Sequence, residues 1–581
     1  MDTGAINKAI EAASNAGGGT VYFPAGKYLT GPVSLKSNIT LWLDAGATIL
    51  GSQNLVDYGT GRNMPLISAS GVRNVGIMGR GTIDGRQVFN PNGAEHMRGP
   101  HAFLASDCQD ITLRDVWFKD PSGYAVMIRS AERVNVDGIT TTGGWDGVGM
   151  IDVKNAAVSN CKLLSGDDSL SGNPWENVTV SNCILSTGCN AFRIGGRNVL
   201  INNCLIYAPA VSEHRTSHRR TPMSGFQVLS LRSPGKVVPP GPTDNIVISN
   251  VTMLNVRAPL WIADSPDAPY SSDFGIGRII LNNLTVLGAG RTPFYVAGSP
   301  RHPAKSIILN NVRMTFAGGG KEGQSQGFTE MSVLQSYGFY LRNVENLELH
   351  DVRVDYQDKD LRPVLFADNI GTVELDRFVP QRGASDAPQM LMSGIRRLLI
   401  DGKEAGAVQA RIKGIDVEPA KIFAAEPFQV VVTVENTGSD GLAEIPLQLG
   451  RDTLRRTVWL KAGETARVRF VNVTRQEPGE QVAPAGDSTG KFTVLPKPAA
   501  RPVSAPYKTV QSLGKIGGRP IARMEQLDGG AFYIRAAGDY FTFDYADEYA
   551  AIYQEKALPR NGTLVAKLEN PDITLVQIQN S

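Results

Sequence analysis

Short runs in which apolar and polar residues alternate recur along the first two thirds of the chain. They include NITLWLDAGATI from Asn38, RNVGIMGRGTIDG from Arg73, QDITLRDVWFKD from Gln109, ERVNVDGITTT from Glu132, NAAVSNCKLLSGDD from Asn155 and ENVTVSNCILSTG from Glu176. Further copies start at Arg197, Asp244, Arg278, Lys305 and Glu345. Alternation with period two predicts short strands with one buried face. A strand, a polar corner and a second strand cannot bury that face alone, so successive units must stack into a solenoid. The pattern predicts an all-β chain whose residues 1–403 form a right-handed parallel β-helix.

Asn160, Asn182 and Asn203 recur at steps of 22 and 21 residues, each followed by a cysteine: Cys161, Cys183 and Cys204. Stacked coils put equivalent residues about 4.8 Å apart. That spacing predicts an asparagine ladder beside three small buried thiols. No Cys-x-x-Cys pair or histidine partner accompanies them, so disulfide and metal are the weaker alternatives. Ile6, Ile10 and Ala13 stand at helical spacing and predict a helix over Thr3–Asn15. It stops at Gly17-Gly18-Gly19 and would cover the open edge of the first coil. After Lys403 the strands lengthen and alternate with turns, which predicts an immunoglobulin-like β-sandwich over 404–496. A Pro/Ala linker over 495–506 and a β-rich C-terminal module complete 497–581. The aromatic rings of that module either pack its core or bind sugar.

Composition narrows the function classes. The 581 residues carry 58 Lys+Arg against 56 Asp+Glu, a net charge of +2, which argues against a strongly basic nucleic-acid binder. At 42% hydrophobic residues the chain is not disordered. No apolar run approaches the roughly 20 residues of a membrane helix. Five cysteines are no disulfide scaffold. The start, Met1-Asp2-Thr3-Gly4-Ala5, has no signal core, so the protein is intracellular or its targeting segment lies outside this numbering.

Candidate chemistry sits at two glycine-bearing corners, Gly144-Trp145-Asp146-Gly147 and Gly166-Asp167-Asp168-Ser169, 21 residues apart. One coil of offset places Asp146 beside Asp167 and Asp168. Three clustered carboxylates repel one another and lose hydration, so the cluster is a functional-site candidate; a calcium site or a solvated turn are the other readings. An insertion, SEHRTSHRRTP over 212–222, holds His214, Arg215, His218, Arg219 and Arg220. It is either a solvated surface loop or a grip for an acidic sugar. Trp145 and Trp175 are candidate stacking platforms for a pyranose ring, Trp145 the better one because it abuts Asp146. Trp117, in an alternating strand, is expected in the core.

AINKAIEAASNAGGGTVYFPAGKYLTGPVSLKSNITLWLDAGATILGS, GRGTIDGR, the Gly99-Pro100-His101-Ala102-Phe103 stretch and the intact Gly166-Asp167-Asp168 resemble glycoside hydrolase family 28, the polygalacturonases and rhamnogalacturonases. The resemblance covers about residues 1–400 and implies the pectin-lyase-like solenoid. Of the family's Asn-Thr-Asp-Gly, only Asp146-Gly147 remains. Its Gly-His-Gly is replaced by Gly188-Cys189-Asn190. Its Arg-Ile-Lys is replaced by GFQVLSL from Gly225, with Arg193 a substitute for the charge. The resemblance implies a glycosidase that inverts configuration on a pectic, uronic-acid-containing chain, with no cofactor and no metal. Asp167 is then the proton donor, raised by its anionic neighbours, and Asp146 and Asp168 hold the water. Cys189 is expected to be a small neutral residue of the subsite. Further expectations are a solvent-open groove, a polysaccharide or oligosaccharide partner, no nucleic acid, no membrane span, and secretion or a periplasmic location. A non-catalytic carbohydrate-binding β-helix, or a lyase or epimerase on the same scaffold, are the alternatives.

Overall fold

The computed structural model describes residues 1–59, 65–230, 235–264, 274–321, 334–381 and 388–496, together with the C-terminal strands 500–502, 507–512, 523–527, 532–535 and 549–554. Contacts divide the chain into two compact units, Met1–Pro496 and Lys497–Ser581.

Within the first unit, strands stack in parallel from Gly19–Phe23 to Arg397–Ile400. The alternation sends one apolar column inward. Ile111 registers with Val134, then Ala156, Val178, Val199, Ile246, Ile279, Ile307, Leu347 and Val373. All ten are buried in one continuous core. Each of these except the smaller Ala156 contributes about 1.5–3 kcal/mol relative to leaving it exposed. This is a parallel β-helix, as the alternation predicts. The Thr3–Asn15 helix forms as expected and buries Ile6 and Ile10 on that core.

The asparagine ladder is present. Nδ2 of Asn182 donates to Oδ1 of Asn160 at 3.2 Å, and Nδ2 of Asn203 to Oδ1 of Asn182 at 2.8 Å. A second ladder runs through Asn155, Asn177, Asn198 and Asn245 with bonds of 3.0, 3.0 and 2.9 Å. Every one of these asparagines has positive φ, between 54° and 58°. The left-handed corner is a conformation that asparagine tolerates better than most residues with a Cβ. Cys161, Cys183 and Cys204 are free and buried.

Residues 404–496 add mostly antiparallel strands, with Lys421–Phe423 pairing parallel to Ser488–Leu495. Ala410–Glu418, Phe428–Asn436 and Thr465–Val473 form one sheet; Lys421–Phe423, Ser488–Leu495 and Gly479–Ala485 form another. They share a second core that includes Val430, Val432, Leu447, Phe470 and Phe492. The hairpin Gly441–Leu449/Asp452–Leu460 joins this part to the last coil, where Leu391 and Met392 pair antiparallel with Val458 and Thr457. In the second unit, 507–512 pairs with 549–554, and 523–527 with 500–502 and 532–535. The expected aromatic sugar-binding face and most of the linker lie outside the described residues.

Candidate active site

Asp146 lies in the turn between Thr140–Gly143 and Val148–Ser159, and Asp167 and Asp168 in the next turn, between Lys162–Ser165 and Leu170–Ser181. The turns stack as the strands do. Asp167 N–H donates to Trp145 O at 3.1 Å, Gly147 N–H to Asp168 O at 2.9 Å, and Ser169 N–H to Asn190 O at 2.9 Å. The three carboxylates converge as the 21-residue step requires.

They are not in an open groove. Asp146 and Asp168 are 3% and 4% exposed, and the Asp167 side chain 14%. One wall is Arg98, from the segment between coils at 85–100. Its Nη2 contacts Asp167 Oδ2 at 2.9 Å and its Nη1 lies 3.9 Å from Asp146 Oδ1. The guanidinium stacks 3.9 Å above the Trp145 ring and 5.5 Å from that of Tyr124. The other wall is the 212–222 insertion. Ser212 Oγ donates to Leu164 O at 2.8 Å and accepts from Gly143 N–H at 2.9 Å, pinning the loop over two coils. The loop lies so close to the corners that a Cβ at Gly166 would stand 2.7 Å from Glu213 O, and one at Gly188 would collide with Arg219 O. Glycine at those corners is a packing requirement of the loop.

The insertion divides its basic residues. His214 turns inward, with Nε2 3.7 Å from Asp167 Oδ1. Arg219 donates from Nε to Gly188 O at 3.2 Å. His218 and Arg220 turn outward to Glu213, at 3.2 and 3.7 Å, so His218 is not brought to the acids. Arg215 is half-buried. Arg193 donates to Gln227 Oε1 at 2.9 Å, and its Nη1 lies 3.9 Å from Asp168 Oδ2. Cys189 is partly buried, with Sγ 3.8 Å from Met223 Sδ. Burial, then Asp168 and Asp167, push its thiol far up, so it is neutral as expected.

The carboxyls divide unequally. Burial, then Asp167 and Asp168, raise Asp146 well above the ordinary carboxylate range, against Arg98 and the 2.6 Å bond from Ser171 Oγ. Burial and Asp167 raise Asp168 to about 6, against Arg193 and the Asn190 donors at 3.1 and 2.9 Å. Burial also acts upward on Asp167, but Arg98, His214, Cys189 and Arg193 outweigh it and hold this group below its ordinary value. The expectation that its neighbours raise Asp167 is therefore corrected: Asp146 is the carboxyl pushed well up, while Asp167, beside the guanidinium groups of Arg98 and Arg193, is held down.

Three tryptophans also differ from expectation. Trp145 is 1% exposed; it supports Arg98 and offers no open face to a sugar. Trp175 lies in the main core, where Nε1 donates to Met150 O at 2.7 Å. The ring continues the buried inward column of Ala131 and Val153, with which Trp175 is in register. Trp117 is 40% exposed, because its strand neighbour Phe118 takes the inward position.

Arg98, Tyr124 and Ser171 are site residues that the motifs do not indicate. Tyr124 belongs because burial and then Asp146 raise its phenol. A trace of Arg98 exists in the sequence, where it directly precedes Gly99-Pro100-His101. Asp167, Cys189 and His214 place donor atoms within 4.8 Å of one another. They fit a cation poorly: Arg98 already occupies Asp167, and Ser217 N–H donates to His214 Nδ1 at 3.2 Å. That bond leaves the ring proton of neutral His214 on Nε2, the nitrogen that would have to ligate.

Residues 14–202 match Glycosyl hydrolases family 28. Through this segment the chain is similar to that family. A probable polygalacturonase of Vitis vinifera is 29% identical over 197 residues, covering 29% of this chain. The match spans only 40% of the grapevine relative's length. An exopolygalacturonase of Platanus acerifolia is 22% identical over 355 residues, 54% of this chain and 87% of the relative. The solved family 28 exopolygalacturonase of Yersinia enterocolitica aligns at 15% identity and a TM-score of 0.43, covering 69% of this chain and 76% of that one. The family 28 segment ends within the Asn190–Tyr207 strand, so it contains all three acids and Arg98 but not the 212–222 insertion.

Proposed function

We propose that this protein is a glycoside hydrolase that cleaves pectic, uronic-acid-containing polysaccharide or oligosaccharide by direct attack of water, with inversion. The observation that carries the reading is the convergence of Asp146, Asp167 and Asp168 beneath two inward-facing basic residues, Arg98 and His214. Inversion needs a carboxylic acid for the leaving oxygen and a carboxylate for the water. A cluster that holds one proton and one secured anion supplies both. On this reading Asp146 donates the proton, Asp167 and Asp168 activate the water, and Arg98, Arg193 and Arg219 attract the substrate's carboxylates. Such a substrate fits a secreted or periplasmic enzyme. We also read residues 404–496 as an immunoglobulin-like sandwich, in keeping with two mostly antiparallel sheets around their own core.

The test is digestion of a panel of pectic and neutral polysaccharides with products read by mass spectrometry and anomeric configuration by proton NMR. Products one water heavier, released with inverted configuration from uronic-acid substrates, are expected. An unsaturated product absorbing in the near ultraviolet identifies a lyase. An unchanged panel refutes the hydrolase and leaves a carbohydrate-binding β-helix.

A further inference from the structure

His214 is held from both sides. Its Nδ1 accepts from the Ser217 backbone N–H at 3.2 Å, and the hydroxyls of Thr216 and Ser217 lie 3.1 and 2.8 Å from the same nitrogen. The backbone N–H can only donate, so Nδ1 is bare in the neutral ring and the proton resides on Nε2. That nitrogen faces Asp167 Oδ1 at 3.7 Å. The ring meets the Trp145 indole edge-on, centroids 6.1 Å apart. The loop itself is fixed: His214 N–H donates to Arg219 O at 2.9 Å and His218 N–H to His214 O at 2.8 Å. Burial, with Arg219, Arg98 and His218 nearby, lowers the His214 pKa despite the pull of Asp167, which favours the neutral ring.

We propose that His214 is the positioning residue for Asp167: the Ser217 amide selects its Nε2–H tautomer, and that N–H, aimed at Oδ1, keeps Asp167 the charged member of the cluster. Oδ2 is already taken by Arg98, so the two carboxylate oxygens have separate partners, supplied by segments 116 residues apart in sequence (98 and 214). The charged and titratable groups around Asp167 are Arg98, Asp146, Asp168, Cys189, Arg193, His214 and Tyr124. Among the groups that face Asp167 from the 212–222 insertion, His214 has its tautomer selected by a backbone amide, that of Ser217. A fixed N–H dipole acts without a titrating charge of its own, so its effect persists across neutral pH. The inference deepens the proposed hydrolysis and rests on that reading for its catalytic meaning.

The experiment is NMR on the full chain, independent of any substrate. With imidazole 15N label, the resonances lost in His214→Gln identify His214. They are expected to show a protonated Nε2 and a bare Nδ1 at pH 7–8; the opposite tautomer overturns the proposal. With 13C label on aspartate carboxyls, Asp167 is identified by its loss in Asp167→Asn. Its titration midpoint is expected to rise by about one unit in His214→Ala, the scale of one charge-assisted contact. It should return toward the wild-type value in His214→Gln, whose amide N–H reaches the Nε2 end of the ring. An unmoved midpoint in His214→Ala overturns the proposal, even if that variant loses activity. If His214→Ala does not fold, the tautomer in the wild type and the midpoint in His214→Gln decide. A moved midpoint in a protein that cleaves nothing would sustain this proposal and refute the hydrolase.

Discussion

At one corner of the coil Asn160, Asn182 and Asn203 stack, and the middle amide, Asn182, gives one hydrogen bond to Asn160 on the coil below and takes one from Asn203 on the coil above. At another corner Asp146, Asp167 and Asp168 stack with the same one-coil offset. An amide is donor and acceptor at once, so its ladder closes on itself and can be repeated indefinitely. An ionised carboxylate only accepts. Its stack must import protons or cations, here from Ser171, Asn190, Arg98, Arg193 and His214. The backbone supplies one geometry, and the difference between scaffold and site is whether the side chains can satisfy each other.

The comparison breaks most visibly when a carboxylate is made into an amide. Asp146→Asn, Asp167→Asn and Asp168→Asn are each expected to lower turnover of polysaccharide by about 10² or more. An aryl glycoside whose phenol departs without a proton sharpens this. Asp146→Asn should recover on it and Asp167→Asn should not; the reverse would exchange their roles.

Removing the imported cation comes next. Arg98→Gln strips Asp167 of its 2.9 Å partner, and turnover should fall about tenfold or more. Losing a cation raises the carboxyl's pKa, so the acid-side loss of activity should begin at higher pH than in wild type. In the wild type, activity should rise as pH climbs through the Asp168 value of about 6, and fall again where Asp146 loses its proton. A profile flat from pH 5 to 8 would contradict this division.

The reverse exchange tests the ladder. Asn182→Asp loses the donor to Asn160 Oδ1 and sets an anion against it, at a cost of about 1–2 kcal/mol near neutral pH. The folded-state pKa of the new carboxyl lies above its unfolded value, so the loss should shrink as pH falls through it. Urea unfolding at pH 7 and pH 4 measures both. The smallest effect belongs to Cys189→Ser, which keeps a small neutral group and should retain most of the activity in the same turnover assay.

Alternation made the coils legible, because inward and outward positions follow from a period of two, and the step of 21–22 residues made the ladder and the acid cluster legible for the same reason. Arg98 was not, since it reaches the acids from a segment between strands, where no period tells which coil a side chain covers. The phase also restarts at each corner: Trp175 is inward because it continues the column of Ala131 and Val153, which the alternation before the corner does not tell. The inserted loop announced its charge but not its division, which the bonds of its Ser212 and Arg219 side chains to the backbone of Gly143, Leu164 and Gly188 help decide.

The terminal pairing of Leu391 and Met392 with Val458 and Thr457 runs antiparallel, against the parallel order of every coil before it. A bare parallel end would accept another copy's coil as readily as its own, and growth could continue from molecule to molecule into a filament. Here the next position is filled by a strand of the wrong direction, itself already paired in a hairpin. The Thr3–Asn15 helix sits over the opposite end and offers no strand at all. The stack is therefore a polymerisation halted at both ends by its own chain, and cutting away the hairpin is the change that would restart it.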